Sequence, residues 1–218
     1  MVFKEFSVYL NGLHIVYLLN PSHRFEFRML KRPRMMVLHD TGPIPLTIED
    51  YYEKSVNELG QPKTHFVITD TGRIYQTLPI NVCGNHVRKR NDISIGVSLH
   101  NLTPSKPMSS AMRYSLYKLR DALSVEFGSL KVKTHRELLV DDVKELTDRL
   151  GISSEIDFTS LLTLVGSELE NYKHRLMDWV RDNIDEPLYT EMLIERIGEV
   201  VECPGGYPTY SSIMRSRL

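Results

Sequence analysis

A short apolar stretch that ends in a histidine constrains this chain more than any other part of it. Residues 35–42 read Met-Met-Val-Leu-His-Asp-Thr-Gly, so four apolar residues run into His39 and then into a turn signal. An apolar run of this length, bounded by a turn, predicts a buried strand. His39 would then lie at the strand end, where the sheet holds its backbone and leaves its side chain free to bind or react.

Two later segments supply partners for His39. Residues 134–137 read Thr-His-Arg-Glu, and residues 202–205 read Glu-Cys-Pro-Gly. Two histidines and one cysteine form a zinc ligand set, and three protein ligands leave the fourth tetrahedral position open for water. The sequence therefore predicts Zn²⁺ as a cofactor, with His39, His135 and Cys203 as its ligands.

Composition excludes several classes of function. Lys and Arg number 27 against 28 Asp and Glu, so the net charge is −1 and a nucleic-acid partner is not expected. No run reaches the roughly 18 apolar residues of a membrane span, and no signal-peptide pattern opens the chain, so we expect cytoplasmic synthesis. Two cysteines are too few for a disulfide scaffold, but a single Cys83–Cys203 disulfide would compete with the zinc interpretation.

Strand and helix patterns alternate through the first two thirds of the chain. Asn11-Gly12 and Asp70-Thr71-Gly72 are turn signals that predict two hairpins. The predicted elements are hairpins at 6–19 and 64–76, strands at 93–99 and 131–134, and helices opening at Thr47 and at Ser109 or Ser110. This order predicts an α/β (α+β) fold, a sheet with helices packed on its faces.

Residues 141–199 differ from the rest. Apolar residues recur there at helical spacing, from Phe158 to Trp179 and again from Leu188 to Ile197. We predict a helical hairpin inserted before the last ligand, preceded by a shorter helix near 141–150. The predicted domains are a hairpin extension at 1–34, a zinc domain at 35–140 and 200–218, and a helical insertion at 141–199.

With these segments in hand, the chain resembles the type 2 N-acetylmuramoyl-L-alanine amidases, the superfamily that includes amidase-type phage lysozymes and the peptidoglycan recognition proteins. Seven short pieces follow one another in the family's order. They are Val37–Thr41, Thr64–Ile68, Gly72–Gln76, Asn85–His86, Asn91–Val97, Thr134–Glu137 and Cys203–Gly205. Each piece alone is a weak signal, whereas seven in sequence are specific.

The resemblance implies a central mixed sheet flanked by helices, with zinc in a groove open to peptidoglycan or a muropeptide. The chain would hydrolyse the amide between N-acetylmuramic acid and L-alanine, as a lytic, endolysin-like enzyme released to the cell wall on lysis. His86 falls where the family carries a histidine that lines the groove. His86, Asn91 and Thr64 are the expected substrate contacts.

Three positions depart from active relatives. Thr64 stands where many carry a tyrosine, Ser98 where others carry a glutamate, and Val201 where a lysine is frequent. Candidates to replace the missing proton-transfer group are His86, His100 and Glu202. The alternative function is a catalytically weak or inactive module on the same fold that binds peptidoglycan or a protein.

The position of the last ligand also departs from the family. Relatives place it soon after the second histidine, whereas Cys203 comes after the whole helical insertion. Asp141 or Asp142 lies nearer the family spacing and is the alternative third ligand. Cys203 is preferred because Cys-Pro-Gly reproduces the family's ending. The 141–199 helices are a candidate interface for a homo-oligomer or a protein partner.

Overall fold

The computed structural model describes residues 3–19, 28–41, 47–100, 102, 107–201, 203 and 209–215. Within these residues the chain forms a mixed sheet of seven strands with helices on its faces, which confirms the predicted fold class. The strands are β1 (Lys4–Leu10), β2 (Leu13–Leu19), β3 (Met35–Asp40), β4 (Phe66–Ile68), β5 (Ile74–Gln76), β6 (Ser94–Leu99) and β7 (Lys131–Thr134). The helices are α1 (Ile48–Leu59), α2 (Ser110–Phe127), α3 (His135–Leu150), α4 (Phe158–Thr163), α5 (Gly166–Asn183), α6 (Pro187–Glu199) and α7 (Tyr210–Arg215).

The strands lie side by side in the order β1-β2-β5-β4-β6-β3-β7. The β1–β2 and β4–β5 pairs are the two predicted antiparallel hairpins. All other neighbours are parallel, including β6 with β3 and β3 with β7. Val16 of β2 pairs with Tyr75 of β5, so the N-terminal hairpin continues the central sheet.

The two faces of the sheet have different coverings. On one face, Leu38 of β3 belongs to a core shared with α2. On the other face, Val37 packs against Val87 and against Leu138 of α3. Because alternate strand residues share a face, His39 lies on the second face, with Val37.

Helix α3 begins earlier than the sequence predicts. A short helix near 141–150 is expected after His135, but α3 starts at His135 itself. Thr134 Oγ1 accepts the Glu137 N–H at 3.2 Å, and the Glu137 carboxylate accepts the Thr134 N–H at 2.7 Å. This capping box fixes the helix start directly after β7. The boundary predicted between 140 and 141 therefore falls inside a helix.

The helical region after α3 contains more than the predicted hairpin. Helices α5 and α6 form that hairpin, and the additional helix α4 precedes them. The apolar pattern that starts at Phe158 is not one continuous helix, because α4 ends at Thr163 and Gly166 adopts a φ of 56°. Together with α3, this region forms a buried apolar cluster that is separate from the sheet core. It consists of Leu139, Val140, Val143, Leu146, Ile156, Leu161, Leu169, Leu176, Val180, Leu193, Ile197 and Val200. No helix in the described ranges is long and apolar enough to cross a bilayer.

Candidate metal centre

Parallel pairing of β3 with β7 brings the two candidate histidines together. Leu38 of β3 pairs with Thr134 of β7, so the next residues, His39 in β3 and His135 at the start of α3, lie side by side with ring centroids 4.8 Å apart. Cys203 lies beside them, with its Sγ 3.7 Å from Nδ1 of His39. One ligand atom from each of the three residues lies within 4.8 Å of the others, and the described part of the chain holds no second group of this kind.

The spacing of these atoms fits a tetrahedral zinc ion. Zn–N bonds of about 2.0–2.1 Å and a Zn–S bond of about 2.3 Å at the tetrahedral angle separate nitrogen from sulfur by about 3.6 Å. The distance of 3.7 Å between His39 Nδ1 and Cys203 Sγ agrees with this value. Two imidazoles and a thiol also suit zinc better than Ca²⁺ or Mg²⁺, which take oxygen ligands.

Burial prepares the two histidines to bind a metal. The pKa of His39 is held well below its usual range, first by burial and then by nearby charges, those of His135 and Lys63 included. Burial, with a smaller contribution from Lys63, lowers the pKa of His135 to about 4. Both rings are therefore neutral at neutral pH, as metal ligation requires. Burial also raises the pKa of Cys203 to about 12, so a metal must displace the thiol proton.

Both cysteines are free, which rules out the Cys83–Cys203 disulfide. The Cys83 thiol instead donates to the carbonyl oxygen of Met29 at 3.3 Å. The Cys203 carbonyl accepts the backbone N–H of Arg136 at 3.2 Å. The buried guanidinium of Arg136 also donates to two carbonyls at the end of α4, those of Leu161 and Leu164, at 2.7 and 2.6 Å. Arg136 thereby ties the last candidate ligand to the helical insertion.

His135 opens onto a groove that the helical region partly encloses. The cavity has a volume of about 360 Å³ and is lined by Asn85, His86, Val87, Arg88, Asn91, His135, Leu139, Glu199 and Val201. Arg88 joins the 85–91 wall to α6 through ion pairs with Glu195, at 3.0 Å, and with Glu199. Sequence reasoning does not find Arg88 or Glu199, because no local motif marks either residue. A larger cavity of about 480 Å³ between the β1–β2 turn and α2 contains none of the candidate ligands.

A protein-family model described as N-acetylmuramoyl-L-alanine amidase matches residues 29–149, more than half of the chain. The chain belongs to the N-acetylmuramoyl-L-alanine amidase family. Its function is accordingly of the peptidoglycan amidase type. The matched residues include His39 and His135 and end within α3, so the later helices and Cys203 lie outside the match.

Several solved structures are similar to this amidase. The amidase LysC from Clostridium intestinale is 22% identical, with a TM-score of 0.47, and the match covers 52% of this chain and 80% of that one. The Ph2119 endolysin of a Thermus scotoductus bacteriophage is 27% identical, with 51% and 77% covered and a TM-score of 0.45. The peptidoglycan recognition protein PGRP-Hd from Alvinella pompejana is 22% identical, with 52% and 80% covered and a TM-score of 0.44. No curated protein matches the chain.

In this amidase, His86 borders the groove but directs its ring nitrogens at protein atoms. The ring is 3% exposed, with Nδ1 3.2 Å from His39 Nε2 and Nε2 3.4 Å from the Ser94 carbonyl. Asn91 is similarly engaged, because its Oδ1 accepts the N–H groups of His86 and Val87 at 3.0 and 2.7 Å. These bonds shape the groove wall that His86 and Asn91 line, and contact of either residue with substrate stays a prediction.

His65 is a buried histidine whose two ring nitrogens are both engaged by backbone groups. Its Nδ1 accepts the Gly96 N–H at 3.0 Å, so Nε2 carries the proton and donates to the Val82 carbonyl at 2.7 Å. Burial lowers the pKa of His65 to about 4, so this ring stays neutral in the folded protein.

Thr64 lies in the interior, away from the groove that it was expected to line. Thr64 and Ser98 are both fully buried, with their hydroxyl oxygens 3.0 Å apart. The Thr64 hydroxyl donates to the Phe66 carbonyl at 3.2 Å, and the Tyr51 hydroxyl lies 2.7 Å from Ser98 Oγ. Because Thr64 has one proton and gives it to Phe66, Ser98 donates to Thr64 and Tyr51 donates to Ser98. Thr64 is therefore not exposed to the groove, and a contact between Thr64 and substrate stays a prediction.

The other proton-transfer candidates gain no support from the geometry. His100 follows the last residue of β6, donates its backbone N–H to the Ile68 carbonyl at 2.9 Å, and is not among the lining residues of the groove. Glu202 lies outside the described residues. Val201, where active relatives often carry a lysine, contributes a 41% exposed side chain to the groove.

The alternative third ligands are engaged elsewhere. Asp141 forms an ion pair with Lys133. Asp142 forms a two-pronged ion pair with Arg90, one arm of which measures 3.1 Å. Neither aspartate joins the metal-ligating group, which contains Cys203 in the third position.

Proposed function

We propose that the chain is a zinc-dependent N-acetylmuramoyl-L-alanine amidase that hydrolyses the amide between N-acetylmuramic acid and L-alanine of peptidoglycan. The observation that carries the proposal is the meeting of His39, His135 and Cys203 at a groove that His135 lines. The family match supports the reaction class, and the nitrogen–sulfur spacing supports zinc as the metal.

In this proposal the two neutral imidazoles and the deprotonated cysteine would hold the metal, beside the groove that His135 lines. Bound zinc would bring the pKa of a water molecule to ~7 and polarise the scissile carbonyl. His39 and Cys203 are buried on the protein side, so access to the reacting atoms is through the groove beside His135. A stem peptide lying there runs between loop 85–91 and the helices α3 and α6.

Glu199 gives the groove an ionised carboxylate beside His135. Burial alone would raise the pKa of Glu199, but hydrogen bonds from Arg196 and Arg88 outweigh burial and lower it. A carboxylate with a lowered pKa is a weak base. We therefore assign Glu199 to binding, as an acceptor for peptide N–H groups, and not to proton abstraction.

The test is hydrolysis of purified peptidoglycan by zinc-loaded protein, measured as new L-alanine amino termini and as stem peptides freed from glycan by mass spectrometry. Hydrolysis is expected for the wild type and for His14→Ala, an exposed histidine on β2. It should be abolished by a chelator and by His39→Ala. Zinc-replete, folded wild type that leaves every muropeptide intact would remove the enzyme claim.

A second candidate function is a binding module on the same fold. The observation that favours it is the buried Tyr51–Ser98–Thr64 chain of hydroxyls, which places no proton-transfer group in the groove at the positions that active relatives use. This function predicts that peptidoglycan pulls down both wild type and His39→Ala equally, with no hydrolysis by either.

A further inference from the structure

The second ring nitrogen of His39 makes a buried contact that fixes how this histidine can serve a metal. His39 directs Nδ1 at Cys203 Sγ, at 3.7 Å, and Nε2 at Nδ1 of His86, at 3.2 Å. Both rings are buried, and the hydrogen-bonding partners of their nitrogens are a hydroxyl, a carbonyl, a thiol and each other, none of which carries a charge. A charged imidazole is strongly disfavoured in such surroundings, so both rings are neutral. A neutral imidazole has one donor and one acceptor nitrogen, so the protons in this pair can be placed.

The placement starts from Ser94, at the beginning of β6. The Ser94 hydroxyl has a single proton and gives it to the Arg90 carbonyl at 2.6 Å. Its oxygen, 3.3 Å from His86 Nε2, can therefore only accept from that ring. The Ser94 carbonyl, 3.4 Å from the same nitrogen, is also an acceptor only. His86 must carry its proton on Nε2.

The rest of the chain of hydrogen bonds follows from that proton. With Nε2 protonated, His86 presents a lone pair at Nδ1, and only an N–H on His39 Nε2 can complete the 3.2 Å contact. His39 is then left with a lone pair on Nδ1, directed towards the Cys203 sulfur. The order of donors holds without any metal in the site.

The position of the His86 ring is itself strongly determined. Asn91 holds the backbone of His86 through its N–H, and a Cβ added at Gly96 would lie 2.7 Å from Cγ of the ring. Real Cβ atoms do not approach so closely, so the ring occupies space that only a glycine at position 96 leaves free.

We propose that His86 is a positioning residue that locks His39 in the tautomer whose Nδ1 lone pair faces the metal. The proposal rests on the proposed function for the identity of the metal. Histidine ligands commonly donate their second N–H to a carboxylate, carbonyl or water, and loss of such a partner costs about 10–100-fold in metal affinity. Here His86 replaces the usual acceptor, and Ser94 fixes the direction of the hydrogen bonds between the two rings.

Zinc affinity of the purified full chain, measured by competition with a chelating indicator, tests the proposal. His86→Leu should bind zinc about 10–100-fold more weakly than wild type. His86→Asn, whose side-chain oxygen can accept from His39, should recover part of the loss. His14→Leu is the matched control on an exposed histidine and should bind as wild type. A folded His86→Leu that binds zinc within twofold of wild type overturns the proposal.

Nitrogen-15 NMR of the metal-free wild type gives a readout that needs neither a variant nor activity. The expected spectrum has His39 and His86 both protonated on Nε2 and unprotonated on Nδ1. A proton on Nδ1 of His39 overturns the proposal even if His86→Leu fails to fold. Zinc binding that follows the expected order without hydrolysis would refute only the proposed function.

Discussion

Two chains of buried hydrogen bonds start from the same strand and end differently. From Ser94 of β6 one chain runs through His86 to His39 and leaves a lone pair directed at the metal-ligating group. From Ser98, four residues later, the other joins Tyr51 to Thr64 and finishes on the Phe66 carbonyl. Both satisfy their buried polar atoms, as burial demands. Only the first ends on a ring nitrogen that faces the metal-ligating group.

The two hydrogen-bond chains differ in where their last acceptor lies. The histidine chain ends at Nδ1 of His39, and the atom that this nitrogen faces is the Cys203 sulfur. The hydroxyl chain ends inside the protein, because the Thr64 hydroxyl donates its proton to the Phe66 carbonyl. The comparison can be broken by showing that the first chain does not control metal binding, or that the second one does.

The largest expected effect is the loss of the last ligand. Cys203→Ser should weaken zinc binding by at least about 100-fold, since even a partner outside the ligand set is worth 10–100-fold. Zinc at 100 times its Kd should stabilise the wild type by about 2.7 kcal/mol, seen as a rise in Tm. Cys203→Ser should lose that rise, whereas Cys83→Ser, a buried cysteine away from the ligands, should keep it. A normal affinity in Cys203→Ser would assign the third ligand elsewhere.

Acid should destabilise the metal-free protein through His65, which lies beside the first hydrogen-bond chain. His65 packs edge-to-face against His86, with centroids 5.8 Å apart, and its pKa falls from about 6.5 to about 4 on burial. Between these values the unfolded chain binds a proton that the native state does not, so the free energy of unfolding decreases as pH falls from 6.5 to 4. The contribution of His65 is on the order of 3 kcal/mol.

Urea unfolding of chelator-treated protein at a series of pH values measures this dependence. His65→Gln should show a shallower decrease than wild type across the same window, and both should be insensitive to pH just above 7. An unfolding free energy that stays constant between pH 7 and 4.5 in the wild type contradicts the assignment of His65 as a buried neutral ring.

Two glycine substitutions should have opposite effects. Gly96→Ala places a Cβ 2.7 Å from the His86 ring, and overpacking of this kind costs about 1–3 kcal/mol and should weaken zinc binding as well. Gly198→Ala lies in α6 with its nearest neighbour, Met177, at 3.5 Å, an ordinary contact. It should stabilise the chain by up to about 1 kcal/mol through helix propensity. Equal effects in urea unfolding would show that the His86 ring is not confined by Gly96.

The sequence is sufficient to predict the elements whose signals are local. The strand before His39, the Asn11-Gly12 hairpin and the two helices after Thr47 and Ser109 all rest on neighbouring residues, and the structure has them. The start of α3 was also predictable, because Thr134 and Glu137 form a capping box that the strand interpretation overlooked.

The orientation of the two buried chains could not be read from the sequence. The His86 ring could point into the groove or towards His39. Its direction depends on the fold of loop 85–91 and on the space that Gly96 leaves free on β6. The buried hydroxyl of Thr64 bonds Ser98, which in turn bonds Tyr51 of α1, and no local motif links these three residues. The break at Gly166 shows the same limit, since helical spacing continues across it.

The smallest expected effect is also the one that separates the two chains most cleanly. Tyr51→Phe removes the donor to Ser98 and keeps the ring, so the cost should be about 0.5–1.5 kcal/mol in urea unfolding, with zinc affinity unchanged. Tyr114→Phe, at an exposed position on α2, should change neither quantity. If Tyr51→Phe lowers amide hydrolysis by more than about tenfold, a loss typical of acid–base groups, while stability falls only this far, then the Tyr51 hydroxyl reaches the reacting atoms. The order of hydrogen bonds from Tyr51 through Ser98 to Thr64 would then hold only without substrate, and substrate binding would turn the Tyr51 hydroxyl towards the groove.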